Sequence, residues 1–328
     1  MKSSVKIRVF VADKIHIDGL NFLSKHFKLY TKYGLNNFKL IDFISQNRTT
    51  DSICDVLVIR STRRLDSNSI EKLKSQTSVK AICTVSSGFD NIDISAAKRN
   101  KIKVFNVPWG NYISAAEHTF AMLLAITKRL EKMHNEIKLR IFNTLPGQTT
   151  ELHNKTIGII GVGRVGSYVA RLARSFGMRV LGNDIKKSLK NKYKWIKFVS
   201  LSNLLKNSNY ITIHTPLDNT TRHLINRYNI KQINKNSIIL NCARGGVIDE
   251  NALYNALRGN KISYAGIDVF ENEPDIDFKI SKLRNVLLTP HIAGKTAESY
   301  RRMAVQASEI LIKNFIPLKS IEIHQKIQ

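Results

Sequence analysis

Apolar residues in this chain gather in short runs, each followed by a stretch whose apolar positions recur at helical spacing. In the first third, the runs Val5–Val11, Val56–Ile59, Val79–Val85 and Lys103–Val107 read as strands. Helical stretches lie between them, around Asp18–His26, Phe38–Ile44, Ser69–Ser75 and Ile94–Asn100. Such alternation predicts a small parallel α/β unit. The pattern returns from residue 152 onward, with strands at Ile157–Ile160, Met178–Leu181, Phe198–Val199, Tyr210–Ile213, Ser237–Leu240, Tyr264–Ile267 and Val286–Leu288. Seven strands with helices between them predict a second, doubly wound parallel sheet.

The connecting stretches differ in character. Val107-Pro-Trp-Gly-Asn111 breaks regular structure and is expected to cross between domains. Ser114-Ala-Ala-Glu117 opens a long helix with a capping-box pattern. Its first half, Phe120–Ile126, is apolar all round and so expected to be buried on several sides. Its second half, reaching to about residue 140, turns basic. A loop over Ile141–Thr150 contains Pro146-Gly147, and Thr296–Asn314 reads as a last helix.

One turn carries a recognisable chemistry. The run Ile157–Ile160 breaks into Gly161-Val-Gly163-Arg164-Val165-Gly166, and helical periodicity follows from Tyr168. A glycine turn between strand and helix is the dinucleotide fingerprint: Gly161 for the tight turn, Gly163 for close approach to a pyrophosphate, Gly166 for helix–strand packing. The helix start adds N–H donors and a positive dipole end. The next strand ends at Asp184, about twenty residues on, where an acid would meet the ribose hydroxyls. A carboxylate there repels a 2′-phosphate, so NAD is favoured over NADP, although Lys186 and Lys187 oppose that preference.

Composition narrows the class. A chain of 328 residues suggests two domains, and 43% hydrophobic residues is ordinary for a globular core. No apolar run approaches the roughly 18 residues of a membrane span, and the N-terminus does not read as a signal peptide. Cys54, Cys83 and Cys242 are odd in number and far apart, so neither a disulfide framework nor a metal site follows, and a cytoplasmic setting is expected. Net charge is +27, which raises the question of polyanions. The lysines are nevertheless spread along the chain, densest over Lys186–Lys197, and no nucleic-acid module is readable. Neither a nucleic-acid nor a membrane partner is expected.

Polar groups cluster after the late strands: His214-Thr-Pro216, Asn241-Cys242-Ala243-Arg244-Gly245, Asp268 with Glu273-Pro274, and Pro290-His291-Ile-Ala293-Gly294. In parallel sheets these ends form the ligand edge. An arginine can fork onto a carboxylate. A histidine, ordinarily near pKa 6.5, can exchange a hydroxyl proton, and a glutamate can fix its tautomer. With a nicotinamide, this set suits hydride transfer at a hydroxyl carbon beside a carboxylate. In the first unit, the turns Arg60-Ser61-Thr62-Arg63-Arg64 and Ser86-Ser87-Gly88 also follow strands.

These motifs, in order, with Asp90–Asp93, Asn106-Val-Pro108, Asn111, Ser114–Thr119 and Thr221–Ile225, resemble the D-isomer-specific 2-hydroxyacid dehydrogenases over nearly the whole length. The resemblance implies an NAD-binding Rossmann domain over 106–294, inserted into a flavodoxin-like substrate domain made of 1–105 and 295–328. It implies His291 as acid/base, Glu273 as its partner and Arg244 as the group holding the substrate. Gly161, Gly163, Arg164, Val165, Gly166, Asp184, His214, Pro216, Cys242, Ala243, Arg244, Asp268, His291, Ala293 and Gly294 would line the cofactor. It also implies a homodimer packed through the cofactor domains. Within the family, the Ser114–Thr119 and Arg60–Thr62 stretches look most like the branch that oxidises 3-phosphoglycerate toward serine. Arg60 and Asn111 would then meet the phosphate, with Ser61 beside them, and the Ser87 and Gly88 amides the carboxylate. Hydroxypyruvate or glyoxylate reduction is the alternative, and an NADH-sensing binding protein the alternative of another class. Three departures stand out: Ser86 replaces a usual glycine, Ile185 a usual proline, and residues 140–150 lack a tryptophan segment. No C-terminal regulatory domain is expected, and so no serine feedback through one.

Overall fold

A computed structural model describes residues 6–46, 53–142 and 149–316. The chain forms two compact units, residues 1–111 with 297–328, and residues 112–296. The break falls after Asn111, where the resemblance implies residue 105. Val107 is fully buried in the first unit's core, and the Trp109 amide donates to Gln306 Oε1 at 3.0 Å, so this segment stays with that unit.

The first unit runs β1 (Arg8–Val11), α1 (Ile17–His26), β2 (Lys28–Thr31), α2 (Asn37–Gln46), β3 (Val56–Ile59), α3 (Ser67–Gln76), β4 (Ala81–Thr84), α4 (Ile94–Arg99) and β5 (Lys103–Phe105). Its parallel sheet has the order β2-β1-β3-β4-β5. Strand β2 escapes the hydrophobic pattern because it lies at the sheet edge, and its two lysine- and threonine-bearing ends are exposed. Strands β3 and β4 are buried at every position, as expected of a sheet covered on both faces. The chain turns back between β1 and β3, so the switch point lies where the Asp13 and Arg60 loops leave the sheet.

The second unit begins with α5 (Tyr112–Thr127) and α6 (Leu130–Lys138), and continues β6 (Thr156–Ile160), α7 (Arg164–Ser175), β7 (Arg179–Asn183), α8 (Leu189–Lys192), β8 (Lys197–Phe198), α9 (Leu201–Asn207), β9 (Tyr210–Ile213), β10 (Ile238–Asn241), α10 (Glu250–Arg258), β11 (Tyr264–Ile267) and β12 (Val286–Leu288). The single long helix expected to about residue 140 is two helices. Arg129 adopts a left-handed φ of 50°, which ends α5, and α6 continues without one buried residue. The apolar half does behave as expected, with Phe120, Met122, Leu123 and Ile126 in the core. Of the loop expected over 141–150, residues 143–148 lie outside the described residues, as do Val5 and 317–328. The last helix, α11 (Ala297–Phe315), belongs to the first unit, where Ala304, Ala307 and Leu311 pack with Val9, Val11 and Leu23.

All seven strands of the second sheet are parallel, in the order β12-β11-β10-β9-β6-β7-β8. Their last residues align in register: Leu288 with Ile267, Ile267 with Asn241, Asn241 with Ile213, Ile213 with Ile160, and Ile160 with Asn183. Six loops therefore leave one edge in a row, spanning roughly 24 Å at about 4.8 Å per strand. The direction of winding reverses between β6 and β9, which opens a crevice at that edge.

Candidate active site

The glycine turn sits at the reversal. Gly161 has φ +87°, a left-handed conformation open to glycine, and a Cβ there would lie 2.7 Å from the His214 carbonyl oxygen. A Cβ on Gly166 would lie 2.0 Å from the Gly161 carbonyl, so α7 can approach the turn this closely only as glycine. A Cβ on Gly163 would meet nothing within 4 Å. The turn itself demands no glycine at 163, and its open space fits a pyrophosphate resting on the backbone at the start of α7, where Arg164 and Val165 form the first turn. The residues present thus fit a dinucleotide. Asp184 ends the neighbouring strand and already anchors the turn: its Oδ2 accepts from the Val162 amide at 2.8 Å and its Oδ1 from the Lys186 amide at 2.8 Å. Its carboxylate is thereby held in place, with one lone pair on each oxygen left for ribose hydroxyls.

Further along the row, His214 and Pro216 follow β9. Burial pushes His214 down to about 3, so the ring is neutral, and its Nε2 shares a hydrogen bond with the Thr212 hydroxyl at 2.9 Å. Pro216 is exposed, with its carbonyl accepting from the Thr221 hydroxyl at 2.7 Å. After β10, Asn241 is buried and fixes the next turn: its Oδ1 accepts from the Ala243 amide at 3.1 Å and its Nδ2 donates to the Arg244 carbonyl at 2.9 Å. The Arg244 guanidinium folds back to the Ala243 carbonyl at 2.7 Å. Burial pushes the Cys242 thiol up to about 12, which leaves it a lining group with no nucleophilic part.

The histidine is built in with most care. His291 has a left-handed φ of 51°, and its amide donates to the carbonyls of Asp268 at 2.8 Å and Thr289 at 3.0 Å. Its Nδ1 lies 2.6 Å from Glu273 Oε2, leaving Nε2 as the outward nitrogen of a side chain 44% exposed. Burial alone would raise the Glu273 pKa, but hydrogen bonds from His291 and the Phe270 amide hold it below the usual carboxylate range. Glu273 is therefore ionised at neutrality and keeps the histidine's Nδ1 protonated toward it.

Asp268, expected to line the cofactor, has a side chain that is 0% exposed, and its oxygens are taken up by the turn that carries His291. Oδ1 accepts from the Thr289 hydroxyl at 2.6 Å and the Ile292 amide at 2.8 Å, and Oδ2 from the Ala293 amide at 2.9 Å. Ala293 is likewise buried with its amide engaged, while Gly294 continues the same turn. Behind them, His118 Nε2 on α5 lies 3.1 Å from the Thr289 hydroxyl. Asn241, Thr289 and His118 receive no role from the sequence. Each is a lone polar residue among apolar neighbours or just past a strand end, a pattern that signals a buried partner without naming it.

The substrate contacts expected of the first unit lie on two of its strand-end turns. The Arg60 amide donates to Asp13 Oδ2 at 2.9 Å, and its guanidinium lies over the Tyr300 ring at 5.3 Å. Among the described residues no carboxylate pairs with that guanidinium. Arg63, by contrast, is structural: its side chain is 8% exposed and binds Asp13 at 2.7 Å, so the basic turn is one buried strut and exposed neighbours. Ser61 is exposed, and Asn91 Nδ2 holds the Arg63 carbonyl at 2.8 Å. In the second turn, Ser86 donates to the Gly88 carbonyl at 2.6 Å and Asn106 Nδ2 to the Ser87 carbonyl at 2.6 Å, which leaves both amides of Ser87 and Gly88 outside these bonds. Asn111, half-buried, closes the first unit.

Comparison with known proteins agrees with this geometry. Residues 120–293 match the model of the D-isomer specific 2-hydroxyacid dehydrogenase NAD binding domain. The chain is 35% identical to a D-3-phosphoglycerate dehydrogenase of Methanocaldococcus jannaschii over 94% of its own length and 57% of the relative's. It is 38% identical to a hydroxypyruvate reductase of Thermotoga maritima, covering 79% of this chain and 84% of that one. The chain thus spans little more than half the length of the phosphoglycerate dehydrogenases it matches. Among solved structures, a D-lactate dehydrogenase from Aquifex aeolicus complexed with NAD and lactic acid is similar with a TM-score of 0.80, at 30% identity, covering 94% of this chain and 95% of that one.

Proposed function

The chain belongs to the D-isomer-specific 2-hydroxyacid dehydrogenases, and from that premise we propose that it oxidises 3-phospho-D-glycerate to 3-phosphohydroxypyruvate with NAD, the first step toward serine. The observation that carries the reading is the 2.6 Å pair of His291 and Glu273 on the same strand-end row as the glycine turn. The Gly161–Gly166 turn and Asp184 would hold NAD, which would supply the acceptor for a hydride from the substrate's C2. His291 Nε2 takes the C2 hydroxyl proton, while Glu273, ionised, stabilises the resulting imidazolium through Nδ1. Arg244 holds the substrate carboxylate and polarises the forming carbonyl. Asp268 and Thr289 act through the turn, fixing where His291 stands.

The phosphate is assigned to Arg60. Its guanidinium is set by Tyr300, which lends it a fixed plane with free N–H edges, and Ser61 and Asn111 are proposed beside it. The amides of Ser87 and Gly88 are assigned to the carboxylate. The exposed apolar residues Leu130, Ile137 and Leu139 on and after α6 support a homodimer formed through the second unit. Cys54, Cys83 and Cys242, as thiols rather than disulfides, suit a reducing cytoplasm. Among the described residues, no helix is long and apolar enough to cross a membrane.

The test compares NADH oxidation with 3-phosphohydroxypyruvate, hydroxypyruvate and glyoxylate at equal concentration, for the native protein and for Arg60→Gln. Preference for the phosphorylated acid, lost selectively in Arg60→Gln, supports the assignment. Equal or reversed preference, with Arg60→Gln neutral, moves the protein to the hydroxypyruvate or glyoxylate reductases, relatives of comparable identity.

A further inference from the structure

Lysine and arginine are spread along the sequence, with lysine densest over Lys186–Lys197, and the fold of the second unit brings part of that segment beside other cations as a track. A groove between α7 and the segment after α8 is lined by Arg171, Arg174, Lys192, Tyr193 and Trp195. A second groove shares Arg174 and Trp195 and continues along the starts of β7 and β8, past Arg179, Lys197, Asn203 and Asn207. Neither groove has a carboxylate among its lining residues, so the positive charge is uncompensated along the track. Asp184 leaves the opposite end of β7, and the loops of Arg244, Glu273 and His291 leave that same edge of the sheet from β10, β11 and β12.

The cations and rings are layered. The Arg171 guanidinium lies over Tyr168 at 4.8 Å, that of Arg174 over Trp195 at 5.3 Å, and the Lys192 ammonium over Tyr193 at 5.3 Å. Tyr193 and Trp195 meet edge to face at 6.5 Å. Guanidiniums seated over rings can present N–H groups to phosphates and a planar π system to bases. The two asparagines add amide donors and acceptors of the kind that meet base edges.

We propose that this track binds single-stranded RNA, as a second activity separate from the dehydrogenase site. A row of cations that follows a backbone, interleaved with aromatic and guanidinium planes for unpaired bases, is the physical requirement for single-strand binding. A duplex hides those base faces. An anionic bilayer fits less well, because Tyr193 and Trp195 are half-buried and offer no protruding ring to insert.

The test is fluorescence anisotropy of a labelled oligouridylate of about 20 nucleotides with the full-length protein, across a salt series. Five cations in the track predict a log–log salt slope of about −3.5, at about −0.7 per phosphate contact. Arg171→Gln with Arg174→Gln should flatten it by about 1.4 and weaken binding at least about tenfold at low salt. Lys231→Gln with Lys235→Gln, which removes the same charge from another face, should change affinity less than about twofold. Trp195→Leu keeps apolar bulk and should weaken binding about tenfold at unchanged slope, a loss of one stacking partner. NADH turnover, unchanged in all three, reports that each variant is folded. The proposal is overturned if the two double variants lose affinity equally, if Trp195→Leu binds as the native protein does, or if phosphatidylserine vesicles bind through the same arginines more tightly than RNA.

Discussion

Replacing Thr289 by valine removes one hydroxyl while keeping the side chain's shape, and the structure says where the loss is felt. That hydroxyl donates to Asp268 Oδ1 at 2.6 Å and accepts from His118 Nε2 at 3.1 Å. Asp268 has no exposure to water, so a lost donor cannot be replaced by solvent. A hydrogen bond to a charged group contributes about 1.5–3 kcal/mol, and its removal leaves part of that carboxylate unsatisfied. Taking about 2 kcal/mol, and about 2–4 °C per kcal/mol for a unit of this size, the melting temperature should fall by about 4–8 °C. Catalysis should fall as well, because Asp268 also holds the Ile292 and Ala293 amides that set the His291 turn. A misplaced general base costs kcat more than substrate affinity, so KM should move little. Differential scanning calorimetry and steady-state kinetics of Thr289→Val check both. An unchanged melting temperature with unchanged kcat would refute the claim that Asp268 positions the histidine.

Two glycines of the same turn should respond differently to alanine. At Gly163 the added methyl meets no protein atom, so Gly163→Ala should keep its melting temperature and lose NADH affinity by about tenfold or more in a fluorescence titration. At Gly166 the methyl would sit 2.0 Å from the Gly161 carbonyl, so Gly166→Ala should lose at least about 1–3 kcal/mol of stability to denaturant. The Glu273 pair has a pH signature. Its carboxyl is held below its ordinary 4.5 in the folded chain, so the pair's stabilisation is fully present above 4.5 and disappears as pH falls through the depressed value. Native protein and Glu273→Gln should therefore differ in thermal stability at pH 6, with the gap narrowing as pH falls below 4.5; a gap that stays constant on acidification would contradict the ionised assignment.

The parallel strands were legible because burial on both faces writes them as unbroken apolar runs, such as Val56–Ile59 and Tyr210–Ile213. The glycine turn was legible because each glycine answers a local steric demand or an open approach. Strand β2 was not, since an edge strand with exposed ends carries no such run. Nor was the break between α5 and α6, where Arg129 takes a left-handed conformation that its residue type does not announce. His291 and Glu273 could be placed on one edge from strand order, but their contact was implied only by the family resemblance. It depends on a turn fixed by Asp268, whose buried carboxylate looks from the sequence like one more polar group facing the ligand. Arg60 and Arg63 are indistinguishable in sequence, and only packing makes one a strut to Asp13 and leaves the other over Tyr300.

In the proposed mechanism His291 exchanges the substrate's proton on a dinucleotide site that stands without it. The direct measurement takes native protein and His291→Ala, titrates NADH binding by fluorescence, and follows NADH oxidation with 3-phosphohydroxypyruvate at saturating cofactor. Turnover should fall by about 100-fold or more, with NADH affinity within a few-fold of native. Turnover retained in His291→Ala, or turnover and NADH affinity lost in equal measure, would contradict it.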